Sequence, residues 1–168
     1  MPVGLTLLRV APLLASTSYI TFTVSEDIYL RPLGSLRPDL RQETNRVIPA
    51  HRDRWEPPGL AMIFTLYPLG IGTAIANLVS KHGSLDISGA SGSNQRIAGY
   101  LYAAGAVFGA LHFAFGPSDL AILKRISEKD KNNEKTMAEW VRMNLIRGFC
   151  AEFPSWVCYF LGFMYAVE

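Results

Sequence analysis

Histidine and cysteine are scarce in this chain, with three of the first and two of the second among 168 residues. No His-x₃-His pair and no carboxylate–histidine motif of the di-iron kind occurs, so the donor spacings that hold a metal ion are missing. Cys150 and Cys158 lie eight residues apart in one apolar stretch. They cannot close a disulfide within a straight helix, and they read as small apolar packing residues. A Gly-x-Gly-x-x-Gly turn after a strand is absent, as is a P-loop, so nothing points to a nucleotide cofactor. Basic residues alternate with acids, and no basic stripe is interleaved with aromatics, which argues against nucleic acid. We expect neither a metal nor an organic cofactor.

The most informative scarcity is of charge. Gly59–Ser80 and Ile97–Pro117 contain no Asp, Glu, Lys or Arg. Apolar stretches at about 5–24, 59–80, 97–118 and 145–166 are each near the roughly 20 residues that a helix needs to cross a hydrocarbon core. The first carries only Arg9, and the last only Arg147 and Glu152. Lipid satisfies no backbone polar group, so such spans must be helices. A soluble helix averages about 11–12 residues, and four near 20 in one short chain do not fit that norm. The reading is an all-α, four-helix transmembrane bundle forming a single integral membrane domain over 1–168, with the lipid bilayer as its solvent. The first stretch resembles a signal peptide, with Ala15-Ser16-Thr17 as a loose cleavage site, but apolar character resumes through Tyr19, Ile20, Phe22 and Val24. That favours a retained signal anchor.

Charge is concentrated between the spans. The segment 27–58 holds six arginines and 124–142 holds six lysines or arginines, so twelve of sixteen cations fall in two loops that share a side. The positive-inside rule puts those loops in the cytosol and both termini in the lumen, in a membrane such as the endoplasmic reticulum. The opposite loop, Lys81 to Asn94, is rich in Gly and Ser and reads as a flexible connection. In the first charged loop Pro32, Pro38, Pro49, Pro57 and Pro58 are expected to break any long helix. Asp39 would cap a short helix from Leu40 to about Val47. Trp55 then stands at the interface, as an anchor or as a contact to substrate.

Polar groups in or near spans are costly and tend to face the bundle interior. Trp140, Asn144 and Arg147 are spaced by four and three and so share a helical face. An aromatic plane, an amide and a permanent cation suit a flat, polarised or anionic ligand; alternatively Arg147 snorkels and pairs with Asp119 or Glu152, while Asn144 bonds a neighbouring helix. A second cluster runs from His112 to Asp119, where Pro117 is expected to end or kink the helix and Ser118 or Asp119 to cap the next. His112 is either a base or a structural histidine. By topology His112, Asp119, Asn144 and Arg147 would converge on one pocket.

Four spans, a long first loop with Trp55, Pro117-Ser118-Asp119-Leu120 after span three, and Trp140, Asn144 and Arg147 opening span four resemble the anthrone-oxygenase-like family of small membrane proteins. That family occurs in fungal polyketide gene clusters and in bacteria. Pro117, Trp140, Asn144 and Arg147 match its pattern; Asp119 stands where the family usually has Asn, and Ile122 where it usually has Leu. Asn144 stands where the fungal oxygenases often carry His, which would shift the role of base to His112 or Asp119.

The resemblance implies a monooxygenase-type tailoring enzyme of secondary metabolism. Its substrate would be a small hydrophobic aromatic polyketide, an anthrone, oxidised by dioxygen through a stabilised enolate without cofactor. Arg147 would then stabilise the enolate, Asn144 would bond a carbonyl, and Trp140 would stack on the ring system. Two other classes stay open. One is a membrane isomerase or cyclase acting on a polyketide or terpenoid intermediate with the same acid–base pocket. The other is a non-catalytic scaffold that contacts other pathway enzymes through Gly99, Ala103, Ala104, Gly105 and Gly109. On the four-span reading, single cysteines at Ser35 and Ser91 should be labelled by an impermeant thiol reagent from opposite sides of the membrane. Labelling from the same side would remove that topology.

Overall fold

The computed structural model describes residues 3–35, 38–80, 85, 92–127 and 132–168. It is helical, with no strand among the described residues. Helix α1 covers Val3–Leu30 and is followed by a single 3₁₀ turn, Arg31–Gly34. Helices α2 (Arg41–Val79) and α3 (Ser93–Arg125) come next, then α4 (Asn133–Arg147), a π turn (Gly148–Glu152) and α5 (Phe153–Val167). The first three long helices are apolar and long enough to cross a membrane. The fourth stretch, expected at 145–166, is the end of α4 joined to α5 through the π turn.

The polarity of the bundle is inverted. Val107 is 70% exposed and Phe149 72%, while Arg147, Glu152 and Asn144 are buried. That arrangement suits a hydrocarbon solvent, which welcomes apolar surface and drives polar groups inward.

The prolines of the first charged loop do not break it. Helix α2 runs for 39 residues through Pro49, Pro57, Pro58 and Pro68, and it neither stops at Val47 nor restarts after Pro58. Proline removes the donor that would serve the carbonyl four residues earlier. For Pro49 that carbonyl is Asn45's, and the amide of Asn133 on α4 donates to it at 3.0 Å. The same repair occurs in α1. Pro12 frees the carbonyl of Leu8, which accepts from Asn77 Nδ2 of α2 at 2.7 Å. Helix α3 likewise passes through Pro117 to Arg125, so Ser118 and Asp119 are mid-helix residues and not caps. At Pro12 and Pro49 a neighbouring helix re-supplies what proline removes, as is usual for proline in spans.

Close packing fixes α3 against α5. A Cβ added at Gly105 would lie 2.6 Å from the ring of Tyr159, and one at Gly162 would lie 2.9 Å from that of Tyr102. Gly105 and Gly109 are therefore consumed inside the bundle, Gly109 facing Ile71 and Ser155. The two charged segments meet at one end. Arg41 pairs with Glu134 at 3.2 Å, and Arg52 donates to the terminal carbonyls of α3 at Leu123 and Ile126. At the other end Arg9 donates to the carbonyl of Ala166, and Asn94 to Glu168. Ser35 closes the 3₁₀ turn at the charged end, whereas Ser91 and most of the Lys81–Asn94 connection lie outside the described residues.

Asn77→Ala should destabilise the purified protein by about 1–3 kcal/mol, the cost of leaving a buried carbonyl unpaired. Pro12→Ala restores an N–H to that carbonyl, so the double variant should regain most of the loss in a thermal-melting cycle. Additive losses would show that the Asn77–Leu8 bond does not serve the proline.

Candidate active site

Trp140, Asn144 and Arg147 follow one another down the inner face of α4, all buried. Immediately after Arg147 the helix widens, and the N–H of Phe153 bonds to the carbonyl of Gly148, five residues back. Pro154 supplies a local cause, because it offers no N–H to the carbonyl of Cys150 and so interrupts the regular ladder. Two residues five apart on a regular α-helix point roughly 140° away from each other. The wider turn brings them together: Arg147 Nε donates to Glu152 Oε1 at 3.1 Å.

Arg147 then becomes the centre of a network drawn from every span. Its Nη1 meets Asp119 Oδ2 of α3 at 2.5 Å, its Nη2 meets Asn144 Oδ1 at 2.5 Å, and Glu26 of α1 lies 3.8 Å away. Glu152 Oε1 also accepts from the hydroxyl of Tyr67 on α2 at 2.7 Å and faces His112 Nδ1 of α3 at 3.1 Å. Tyr67 stacks on Tyr19 with ring centroids 4.2 Å apart and packs against the His112 ring at 3.8 Å. The hydroxyl of Tyr19 reaches Ser155 Oγ at 2.6 Å, which in turn donates to the carbonyl of Gly105. Three carboxyl groups thus surround one guanidinium and one imidazole. Among the described residues no group of three His, Cys, Asp or Glu has a metal-holding arrangement. The Arg147 side chain fills the space between the carboxylates.

One side of the network opens on a cavity of about 220 Å³, lined by Glu26, Trp55, His112, Asp119, Trp140 and Arg147 at its polar end. The other end is apolar and lies between α2 and α3 at Phe64, Phe113 and Leu120, all exposed on the outer surface. Trp55 lines this chamber, tilted against Trp140 with ring centroids 5.1 Å apart.

Asn144 departs from the expected convergence. It belongs to the network but not to this chamber. Its amide is taken up by Arg147 and, at 3.2 Å, by the carbonyl of Thr23. The cavity that it does line, of about 200 Å³, lies on the far side between α1 and the π turn. Its geometry is that of a strut for Arg147.

Over 166 residues, 95% of its length, the chain is 27% identical to the epoxidase gkaX of Penicillium citrinum, covering 94% of that protein. Over 160 residues, 92% of its length, it is 26% identical to the epoxidase pydX of an Acremonium species, covering 91% of that protein. No family model matches the chain. No solved structure matches it.

Glu26 and Tyr67 were not visible as site residues in the sequence. Glu26 lies two positions beyond the apolar run that ends at residue 24, where an acid reads as the start of a loop. Tyr67 lies in an otherwise apolar stretch and carries no local signal. Arg147→Leu should cost about 3–5 kcal/mol of stability, since it strands three buried carboxyl groups without their cation. The yield of folded protein should fall, and Arg147→Lys should recover only part of it, since a point charge replaces a planar fork. Adding Asp119→Asn to Arg147→Leu should recover stability in a melting experiment; no recovery would mean that the carboxylates do not depend on Arg147.

Proposed function

We propose that this protein is a membrane-embedded oxygenase of secondary metabolism. It would add oxygen from O₂ to a hydrophobic, enolisable substrate drawn from the lipid phase. One observation carries the reading: Glu152 holds the His112 ring at the wall of a chamber that opens toward lipid and also exposes the Arg147 guanidinium. The overall similarity to proteins named epoxidases supports an oxidative role of this class.

The chemistry follows from the residues. Glu152 accepts the Nδ1–H of His112, which sets the tautomer and leaves Nε2 to take a proton from an acidic C–H or O–H. Arg147 has N–H groups beyond those given to Glu152, Asp119 and Asn144, and these offset the enolate's charge. The enolate carbon forms a bond to O₂, its electron pair reduces the oxygen to a peroxide, and the imidazolium returns the proton to give a hydroperoxide. The O–O bond then breaks. In a substrate with a neighbouring double bond, the terminal oxygen closes an epoxide and the other remains as an alcohol. At an anthrone-like methylene, the hydroperoxide instead loses water and leaves a ketone. The substrate supplies all four electrons in each case, two in forming the hydroperoxide and two as the O–O bond breaks.

We place the charged end of the bundle in the cytosol and both termini in the lumen of the endoplasmic reticulum, on the distribution of cations.

The test is turnover by microsomes containing the protein under ¹⁸O₂, with anthrone and a long-chain alkenyl 1,3-diketone as probes. Oxygen uptake with ¹⁸O in the product is expected, and His112→Ala should lower it by about 10²–10⁴-fold, the usual worth of a positioned base. Product formed without oxygen uptake would reassign the chamber to isomerisation or cyclisation. Full activity in folded His112→Ala would remove the base assignment.

A further inference from the structure

Glycine weakens a helix, because its unfolded backbone is freer than that of any other residue, so a glycine inside a helix needs a reason. For Gly105 and Gly162 the reason is a tyrosine ring that leaves no room for a Cβ, and a Cβ at Gly59 would already touch Phe22 of α1 at 3.4 Å. Gly116 on α3 is different. A Cβ placed there would meet no atom within 4 Å among the described residues, so no close helix contact depends on its small size. Nor does Pro117 demand it. A side chain before proline is disfavoured in the helical conformation, yet this chain carries Ile48, Tyr67 and Phe153 before Pro49, Pro68 and Pro154 within its helices.

The place of Gly116 is the chamber wall. The residues of α3 that line the chamber are His112, Phe113, Gly116, Asp119, Leu120 and Leu123. At about 100° per residue they occupy an arc of roughly 120°, and Gly116 falls at its middle. A Cβ at this position therefore points into the chamber, one turn from His112 on one side and from Asp119 on the other. Gly116 is half-buried, so its backbone is open to a ligand there.

We propose that Gly116 is the specificity-determining residue of the chamber, keeping it wide beside His112 so that it takes a substrate that is branched or cyclic at its reacting end. The proposal rests on the chamber being the substrate site of the reaction above, and it names the shape of that substrate. Side chains on a helix lean toward its N-terminus, so any larger residue at 116 would lean toward His112 and narrow the chamber where the proton is taken. A single methylene chain still passes such a restriction. A broad body does not.

Width is separable from helix stability and from contact with lipid. Gly116→Ala adds one carbon into open space and should raise the ligand-free Tm, since alanine favours the helix. Gly72 on α2 supplies the control. It is exposed, its Cβ would also meet nothing within 4 Å, and it lies outside the chamber lining.

The experiment uses the full chain in lipid nanodiscs with Trp156→Phe, which leaves Trp55 and Trp140, both lining the chamber, as the only tryptophan emitters. The probes are 1-bromodecane and 1-bromoadamantane, which share a carbon count and a quenching atom and differ in breadth. Saturable quenching, displaced by an excess of the unbrominated hydrocarbon, reads occupancy of the chamber. The parent chain should bind both. Gly116→Leu should weaken 1-bromoadamantane by at least about tenfold, the effect of overfilling a packed space, and leave 1-bromodecane within about threefold. Gly72→Leu should leave both within about twofold. Where the leucine variant does not fold, Gly116→Val carries the same comparison with a shorter side chain. No saturable binding of 1-bromoadamantane by the parent chain, no weakening of it in the folded variants, or equal weakening of both bromides would overturn the assignment. No oxygen chemistry enters the measurement. Selection by width without ¹⁸O incorporation would therefore count against the oxygenase reading alone, and incorporation with unchanged selection in Gly116→Leu against the role of Gly116 alone.

Discussion

The structure depends on one buried cation. Arg147 lies where four helices meet, 3% exposed, with Asp119, Asn144 and Glu152 in direct contact and Glu26 close by. Removing a charge from water costs several kcal/mol even after relaxation, so the guanidinium must be matched from several directions. The planar fork makes that possible, since its five N–H groups can serve separate partners in fixed directions. Asp119 comes from α3 and Glu26 from α1, while Asn144 and Glu152 flank Arg147 on its own segment. The cation therefore sets the relative positions of α1, α3 and α4 as well as the chemistry at their meeting point. Its match depends on the π turn, without which Glu152 would point away from it.

The prolines show a related economy. A chain built for lipid cannot leave carbonyls unpaired in the hydrocarbon, yet ten prolines are present, and several lie within the long helices. At Pro12 and Pro49 an asparagine from a neighbouring helix closes the gap, which turns a local defect into a tertiary contact. Pro154 does something different. It coincides with the wide turn that places Glu152 at the site. Proline here ties helices together or accompanies a wide turn, and the long helices run on through it.

A chamber that is polar at one end and open to lipid at the other joins these features to function. On the function proposed above, a substrate would approach from the phase in which it dissolves and meet the acid–base groups away from bulk water. In that setting the Glu152–His112 contact and the Arg147 charge act more strongly than they would at a surface. Trp55 and Trp140 line the chamber side by side, with ring centroids 5.1 Å apart.

The sequence by itself determined the fold class, because stretches of some twenty residues without charge admit few structures other than spanning helices. It also determined that Trp140, Asn144 and Arg147 share a face, since helical spacing alone decides that. The clustering of cations in two loops was legible too, and the structure joins those loops through Arg41–Glu134 and Asn133–Asn45. What the sequence could not determine depends on contacts between distant residues. The helices continue through Pro49 and Pro117 because the packed bundle tolerates the missing donors, and no local propensity reports that. Glu152 joins Arg147 only through a register change of the helix backbone. Glu26, at the edge of an apolar run, and Tyr67, in the middle of one, become site residues only when α1 and α2 fold against α3. Asn144 fell on the expected face, yet its amide was taken by Thr23 and Arg147, and so it supports the site from behind. Periodicity states which face of a helix a side chain is on. Which neighbour claims that side chain is decided by packing.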